Sequence, residues 1–194
     1  NEHLLPGLDP KGVPSSLAGS ALPFRYNQLD ELDRIISKHG NQLAAIVLEP
    51  TRADDPQAGF LEGVRDRCEA TGARLIFDEI SIGWRLCLGG AHLKFGVHPD
   101  VAVFAKATSN GHAMGAVIGN ADTMQAAQDS FISSSYWTEG VGPAAALATV
   151  EKMMRVDVPS HLVRIGQLVV DGWQRLGRKH GLPLKISGRP QLAA

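Results

Sequence analysis

Phe60-Leu61-Glu62-Gly63-Val64-Arg65-Asp66-Arg67-Cys68-Glu69-Ala70-Thr71-Gly72-Ala73-Arg74-Leu75-Ile76-Phe77-Asp78-Glu79 passes from one periodicity to another without a break. From Phe60 to Thr71 the apolar residues recur at helical spacing, and Gly72 supplies the stop, because glycine tolerates the left-handed conformation that ends a helix. Ala73 to Phe77 is a short, nearly continuous apolar run of the kind found in buried strands, and it ends on two carboxylates. A helix feeding directly into a buried strand is the repeating unit of α/β proteins.

The unit recurs on both sides. Asn27 can cap a helix with Leu29, Leu32, Ile35 and Ile36 on one face, and Gly40 follows as its stop. That helix leads into Leu43-Ala44-Ala45-Ile46-Val47-Leu48, a strand expected to be covered on both faces and to end at Glu49-Pro50. Asp100 to Ala105 is a third such run, closed by Lys106, and Gly115 to Gly119 can add a fourth. From Val141 the chain turns helical, through Ala144 to Val156 and then Ser160 to His180, with Pro159 in the first turn of the second helix. Alternating strands and helices need crossover connections, so the expected fold class is α/β with a mostly parallel sheet flanked by helices. Residues 1–26 read as an irregular arm, 27–156 as the core, and 157–194 as the start of a C-terminal helical region.

Composition narrows the function classes. The chain has 194 residues, 44% apolar and 20% charged, which is globular, and its formal net charge of −1 offers no basic field for nucleic acid or anionic lipid. Two cysteines, Cys68 and Cys87, form neither a CxxC pair nor a disulfide framework, as expected of a cytoplasmic protein. No apolar run reaches the length of a membrane span, and the seven histidines lack zinc-site spacing. No metal is therefore expected, and small-molecule chemistry is the default. The chain starts at Asn1 without an initiator Met and stops at Ala194 without an evident closing element, so both ends are expected to be cut from a longer protein.

Parallel α/β sheets carry ligands outside the carboxyl ends of their strands. Those ends hold Glu49, Asp78-Glu79 and Lys106, ionisable groups after three separate apolar runs. Partial burial at a sheet rim would favour a neutral Lys106 amine, which imine formation requires. Asp78 is separated from Lys106 by enough chain for one crossover and a further strand, and its carboxylate could pair with a pyridinium nitrogen. A lysine after a strand is also commonly a solvated loop residue, and an aspartate there commonly caps a turn, so position alone leaves both readings open. Arg85 is similarly open between a substrate carboxylate and a structural salt bridge.

Three segments together carry a family resemblance. Leu48-Glu49-Pro50, Ile76-Phe77-Asp78-Glu79-Ile80 with Gly83-Trp84-Arg85, and Lys106-Ala107-Thr108-Ser109-Asn110-Gly111-His112-Ala113-Met114-Gly115-Ala116 are ordered and spaced as in class III aminotransferases, with a likeness to proteins of the glutamate-1-semialdehyde aminomutase type. The resemblance implies part of the large domain of a fold type I enzyme that uses pyridoxal 5′-phosphate (PLP). It implies that Lys106 holds the cofactor as a Schiff base and moves the substrate Cα proton, that Asp78 holds the pyridine nitrogen, and that Ile80 packs on a ring face. Thr138 would reach the phosphate of a neighbouring subunit in a homodimer, although the surrounding Trp137-Thr138-Glu139-Gly140-Val141-Gly142-Pro143 departs from the family pattern. Small-molecule amines and keto or aldehyde acceptors would be the substrates. An intramolecular aminomutase is a further outcome. So is a fragment that acts only in assembly, since the family's phosphate-cradling turn, stacking aromatic and small domain are not recognisable here; such a fragment would be inactive in isolation.

Overall fold

The computed structural model describes residues 11–136 and 138–193, so the first ten residues of the expected arm and Trp137 lie outside it. In chain order the elements are α1 (Leu29–His39), β1 (Ala45–Leu48), α2 (Phe60–Thr71), β2 (Arg74–Asp78), α3 (His92–Phe95), β3 (Val101–Phe104), β4 (Ala116–Gly119), α4 (Ala121–Gln125), α5 (Val141–Met153) and α6 (Val158–His180). The four strands form one sheet in the order β1-β2-β3-β4. The first three are parallel and β4 is antiparallel to β3, so the sheet is mostly parallel with helices packed on it.

Burial in α2 explains why it forms where it does. Phe60, Leu61, Val64 and Cys68 share the face turned to the sheet, and Gly72 closes the helix at φ 77°. Their partners are Ile46 of β1, Leu75 and Phe77 of β2, and Leu32 of α1. Removing side chains such as Leu75 and Phe77 from water contributes about 2–3 kcal/mol each. The desolvation also pushes the Cys68 thiol up to about 11, leaving it an inert core residue.

The opposite face of the sheet differs from expectation. Register places Val47 beside Ile76, Asp78 beside Val103, and Val103 beside Val117, all on that second face. Val47 is 58% exposed and Val117 56%, so among the described residues β1 is covered on one face only. Its apolar run does not alternate, and a continuous run cannot by itself show that a second layer is present.

One cap also differs from expectation. Asn27 adopts φ 64° and its side chain accepts the Gln57 N–H at 2.9 Å, so α1 starts after Gln28 with no side-chain cap. Helix α5 starts at Val141, where the sequence turns helical. The Glu139 carboxylate accepts the N–H groups of Val141 (2.6 Å) and Gly142 (3.3 Å), which stabilises the helix from its first turn. Helix α6 is capped by Asp157, which accepts the Ser160 N–H at 3.1 Å.

Asp100 fastens the amino end of the sheet. Its Oδ2 accepts the Leu75 N–H at 2.7 Å and the Arg65 guanidinium at 3.0 Å, and its Oδ1 accepts the Asn120 side-chain amide at 2.9 Å. One carboxylate thereby links α2, β2 and the end of β4. The chain beyond α6 is tied back to the loop after β1, where Arg189 donates to the Arg52 carbonyl (2.9 Å), Thr51 Oγ1 (2.6 Å) and Asp55 (2.8 Å). Among the described residues no helix is long and apolar enough to cross a membrane.

Candidate active site

The carboxyl end of β2 separates its two acids. Successive strand residues point to opposite faces, so Asp78 and Glu79 diverge although they are adjacent. Glu79 turns into the core, fully buried. Its carboxylate accepts the N–H groups of Ala91 and His92 (both 2.9 Å) and bonds the His92 ring at 2.8 Å. It clamps the returning segment before β3 and is not presented at the strand end, which corrects its place in the candidate set.

Asp78 remains at the rim, half-buried on the second face of the sheet. Its Oδ1 accepts the Ile80 N–H at 2.9 Å, the local turn typical of an aspartate. Among the described residues Oδ2 has no hydrogen-bond partner, so half of the carboxylate is available to a donor. Ile80 follows, half-buried.

Beyond it the chain makes helical turns, with Gly83 N–H on the Glu79 carbonyl at 2.8 Å. A Cβ on Gly83 would lie 2.7 Å from that carbonyl and 2.8 Å from the Phe104 ring, so glycine is required for the turn to sit against β3. Arg85 donates Nε to the Ser81 carbonyl at 2.8 Å and pairs with no carboxylate among the described residues. The salt bridge that was one of its two readings is not found among the described residues, and the bond to Ser81 braces this turn.

Lys106 opens a 3₁₀ turn, Lys106–Thr108, directly after β3. Its backbone is left-handed at φ 47°, and its Nζ donates to Ser81 Oγ at 2.8 Å. The lysine is exposed, so the partial burial expected at the rim is not found. Ser81 was not singled out by sequence reasoning; its position three residues after Asp78, within the same segment, was the available signal.

Glu49 ends β1 one residue past Leu48, which is in register with Phe77, so it stands level with Asp78 on the neighbouring strand. Its Oε1 pairs with Arg52 at 3.0 Å, and its buried Oε2 has no partner among the described residues. Thr138 is exposed in the loop before α5, and no hydrogen bond joins it to Asp78, Ile80 or Lys106 among the described residues. The structure thus brings Asp78, Ile80 and Lys106 to one end of adjacent parallel strands and leaves Thr138 apart.

A primary amine, a carboxylate with a free oxygen and an aliphatic side chain at one sheet edge can bind an aldehyde-bearing heteroaromatic ring. Comparison with known proteins points the same way. The sequence profile of the family described as aminotransferase class-III matches residues 20–194. The chain is 33% identical over 186 residues to a 3-aminobutyryl-CoA aminotransferase of Cloacimonas acidaminovorans, covering 92% of this chain and 45% of that protein. It is 34% identical over 183 residues to a glutamate-1-semialdehyde 2,1-aminomutase of Syntrophobacter fumaroxidans, covering 91% and 42%. The FumI protein of Sphingopyxis sp. MTA144, solved in its PLP internal aldimine form, superposes with TM-score 0.78 at 26% identity, over 87% of this chain and 42% of that one. An omega-transaminase from Sphaerobacter thermophilus gives TM-score 0.75 at 26% identity, over 93% and 43%. The chain spans less than half the length of these relatives.

Proposed function

Because the chain belongs to the aminotransferase class-III family, we propose that the ends of β2 and β3 form the cofactor-holding part of a PLP site. This site transfers an amino group from an amine or amino acid to a keto or aldehyde acceptor. The observation that carries the reading is that a half-free Asp78 carboxylate and the Lys106 amine stand at the same end of adjacent parallel strands.

In this reading the residues present fit the ring portion of PLP. Lys106 supplies the amine that attaches it, Asp78 the acceptor for its ring nitrogen, and Ile80 an apolar surface for one ring face. Thr138 serves the phosphate held by a second copy in a homodimer. When bound, PLP supplies an electron sink for the pair left at the substrate Cα. Asp78, by its negative charge, keeps a proton on the ring nitrogen. Lys106, with its amine free, acts as the base that holds the proton removed from the substrate Cα. The two free cysteines suit a reducing cytoplasm.

A second reading is an intramolecular aminomutase, favoured by the 34% identical aminomutase relative. The same residues serve both, and the outcomes separate when donor and acceptor are supplied as different molecules. The attachment is tested by reducing the protein with borohydride in the presence of PLP and mapping the modified peptide. Modification at Lys106 is expected; modification at Lys94 or Lys152 in its place would refute the assignment.

A further inference from the structure

The turns after β2 and β3 are bonded to each other at two points. The Trp84 indole N–H donates to Thr108 Oγ1 at 3.0 Å, and Lys106 Nζ donates to Ser81 Oγ at 2.8 Å. Both ends of the second contact are mounted on braced backbone. Arg85 Nε holds the Ser81 carbonyl at 2.8 Å, and Thr108 Oγ1 donates to the Ala105 carbonyl at 3.0 Å across the turn that carries Lys106. Lys106 itself sits at φ 47°, a conformation that costs a residue with a Cβ about 1 kcal/mol or more and persists only where neighbours fix it.

The chemistry of the partner matters. Among the described residues Ser81 is the one hydrogen-bond partner of Lys106 Nζ, and no carboxylate is ion-paired with it. A carboxylate can only accept, so it binds the ammonium and stabilises the charge. A hydroxyl accepts from the ammonium and donates to the free amine, so it holds the nitrogen in place in either state without favouring the charged one. The free amine is the nucleophile toward an aldehyde.

We propose that Ser81 is a positioning residue for Lys106, keeping its amine at the end of β2 through both protonation states. This rests on the reading of Lys106 as the cofactor-bearing lysine. Ser81 lies three residues past Asp78 on the same turn, so one short segment sets the acceptor for the ring nitrogen and the position of the amine together.

The test is reductive labelling of the protein by PLP and cyanoborohydride. The Lys106 amine adds to the aldehyde carbon, water leaves, and hydride from the reagent reduces the resulting C=N to a secondary amine. Modified peptides are quantified by mass spectrometry between about pH 8 and 12, a window that spans the free-lysine range near about 10.4, with Lys94 and Lys152 as internal standards. Three variants are compared after circular dichroism has shown them folded: Ser81→Thr, Ser81→Ala and Ser81→Asp. Thr keeps the hydroxyl and should label Lys106 as the parent does. Ala should slow it about fivefold, the worth of one hydrogen bond, with the pH dependence unchanged. Asp should move the pH midpoint up by about one unit, because an adjacent anion favours the ammonium. A side chain at position 81 that lies away from the amine gives no such shift. Labelling of Lys106 in Ala and Asp variants that matches the parent at every pH overturns the role of Ser81. Labelling of Lys106 in the parent no faster than that of Lys94 and Lys152 overturns the site itself, and Ser81 with it. If one variant does not fold, the other two decide.

Discussion

Asp100→Asn keeps the shape of the side chain and removes its charge, and three hydrogen bonds fix what that should cost. The amide oxygen can replace Oδ2 and still accept from the Leu75 N–H and from Arg65, but the bond to Arg65 loses its charge-assisted part, worth about 1 kcal/mol. At the Oδ1 position the new NH₂ faces the Asn120 amide, donor against donor. Asn120 cannot simply flip, because its own oxygen caps α4 by accepting the Thr123 N–H at 2.9 Å. Either the bond or the cap is lost, at about 1 kcal/mol. The expected destabilisation is therefore about 2 kcal/mol at pH 7, read from urea unfolding followed by tryptophan fluorescence. The effect also has a pH signature. Burial by itself would raise the Asp100 carboxyl, but the Leu75 N–H, Arg65 and Asn120 outweigh it and hold the group below its ordinary value. A depressed value in the folded state contributes stability that is complete above the unfolded value, near about 3.9, and lost as the pH falls through the folded one. The gap between parent and variant should thus be constant near neutrality and shrink in acid below about pH 4. A variant within about 0.5 kcal/mol of the parent at pH 7, or a gap that widens in acid, would refute the assignment of Asp100 as the fastener of the sheet.

Asp78→Asn removes the charge proposed to keep a proton on the ring nitrogen. It should lower the amino-transfer rate by about one to two orders of magnitude while changing PLP affinity much less, as measured by stopped-flow turnover and by titration of cofactor absorbance; equal rates would make Asp78 a turn cap alone. Gly83→Ala places a Cβ against the Glu79 carbonyl and the Phe104 ring and should destabilise by about 1–3 kcal/mol, seen as a lower Tm in calorimetry. An unchanged Tm would mean that the turn has room to move off β3.

The sequence was most legible where one periodicity settles the matter. Helix α2 has the bounds expected of it because Phe60, Leu61, Val64 and Cys68 mark a single buried face and Gly72 takes a left-handed conformation. The parallel strands followed from apolar runs joined by crossovers, and Asp78 and Lys106 from standing at their ends. What was not legible depends on partners distant in sequence. Asn27 carries a good cap side chain, yet it is spent on Gln57, thirty residues on. The direction of β4 is set by its ladder to β3, and four residues from Ala116 to Gly119 carry no mark of it. Glu79 could have been separated from Asp78 by strand alternation alone, since neighbours in a strand face opposite ways. Its partner His92 lies on a separate short helix, and no spacing announces that pair. Lys106 was expected to be partly buried because it follows a buried strand, but its left-handed backbone carries the side chain out to Ser81.

The spatial order of the strands repeats their order along the chain. Among the four described strands, each after β1 therefore finds its neighbour already synthesised. Such a sheet can grow during translation by successive additions at one edge, with loop closures limited to the segments between consecutive strands. Lys106 lies in the last of those segments, between β3 and β4. Lys106 thus follows in synthesis the end of β2 that carries Asp78 and the Ser81 hydroxyl bonded by its amine.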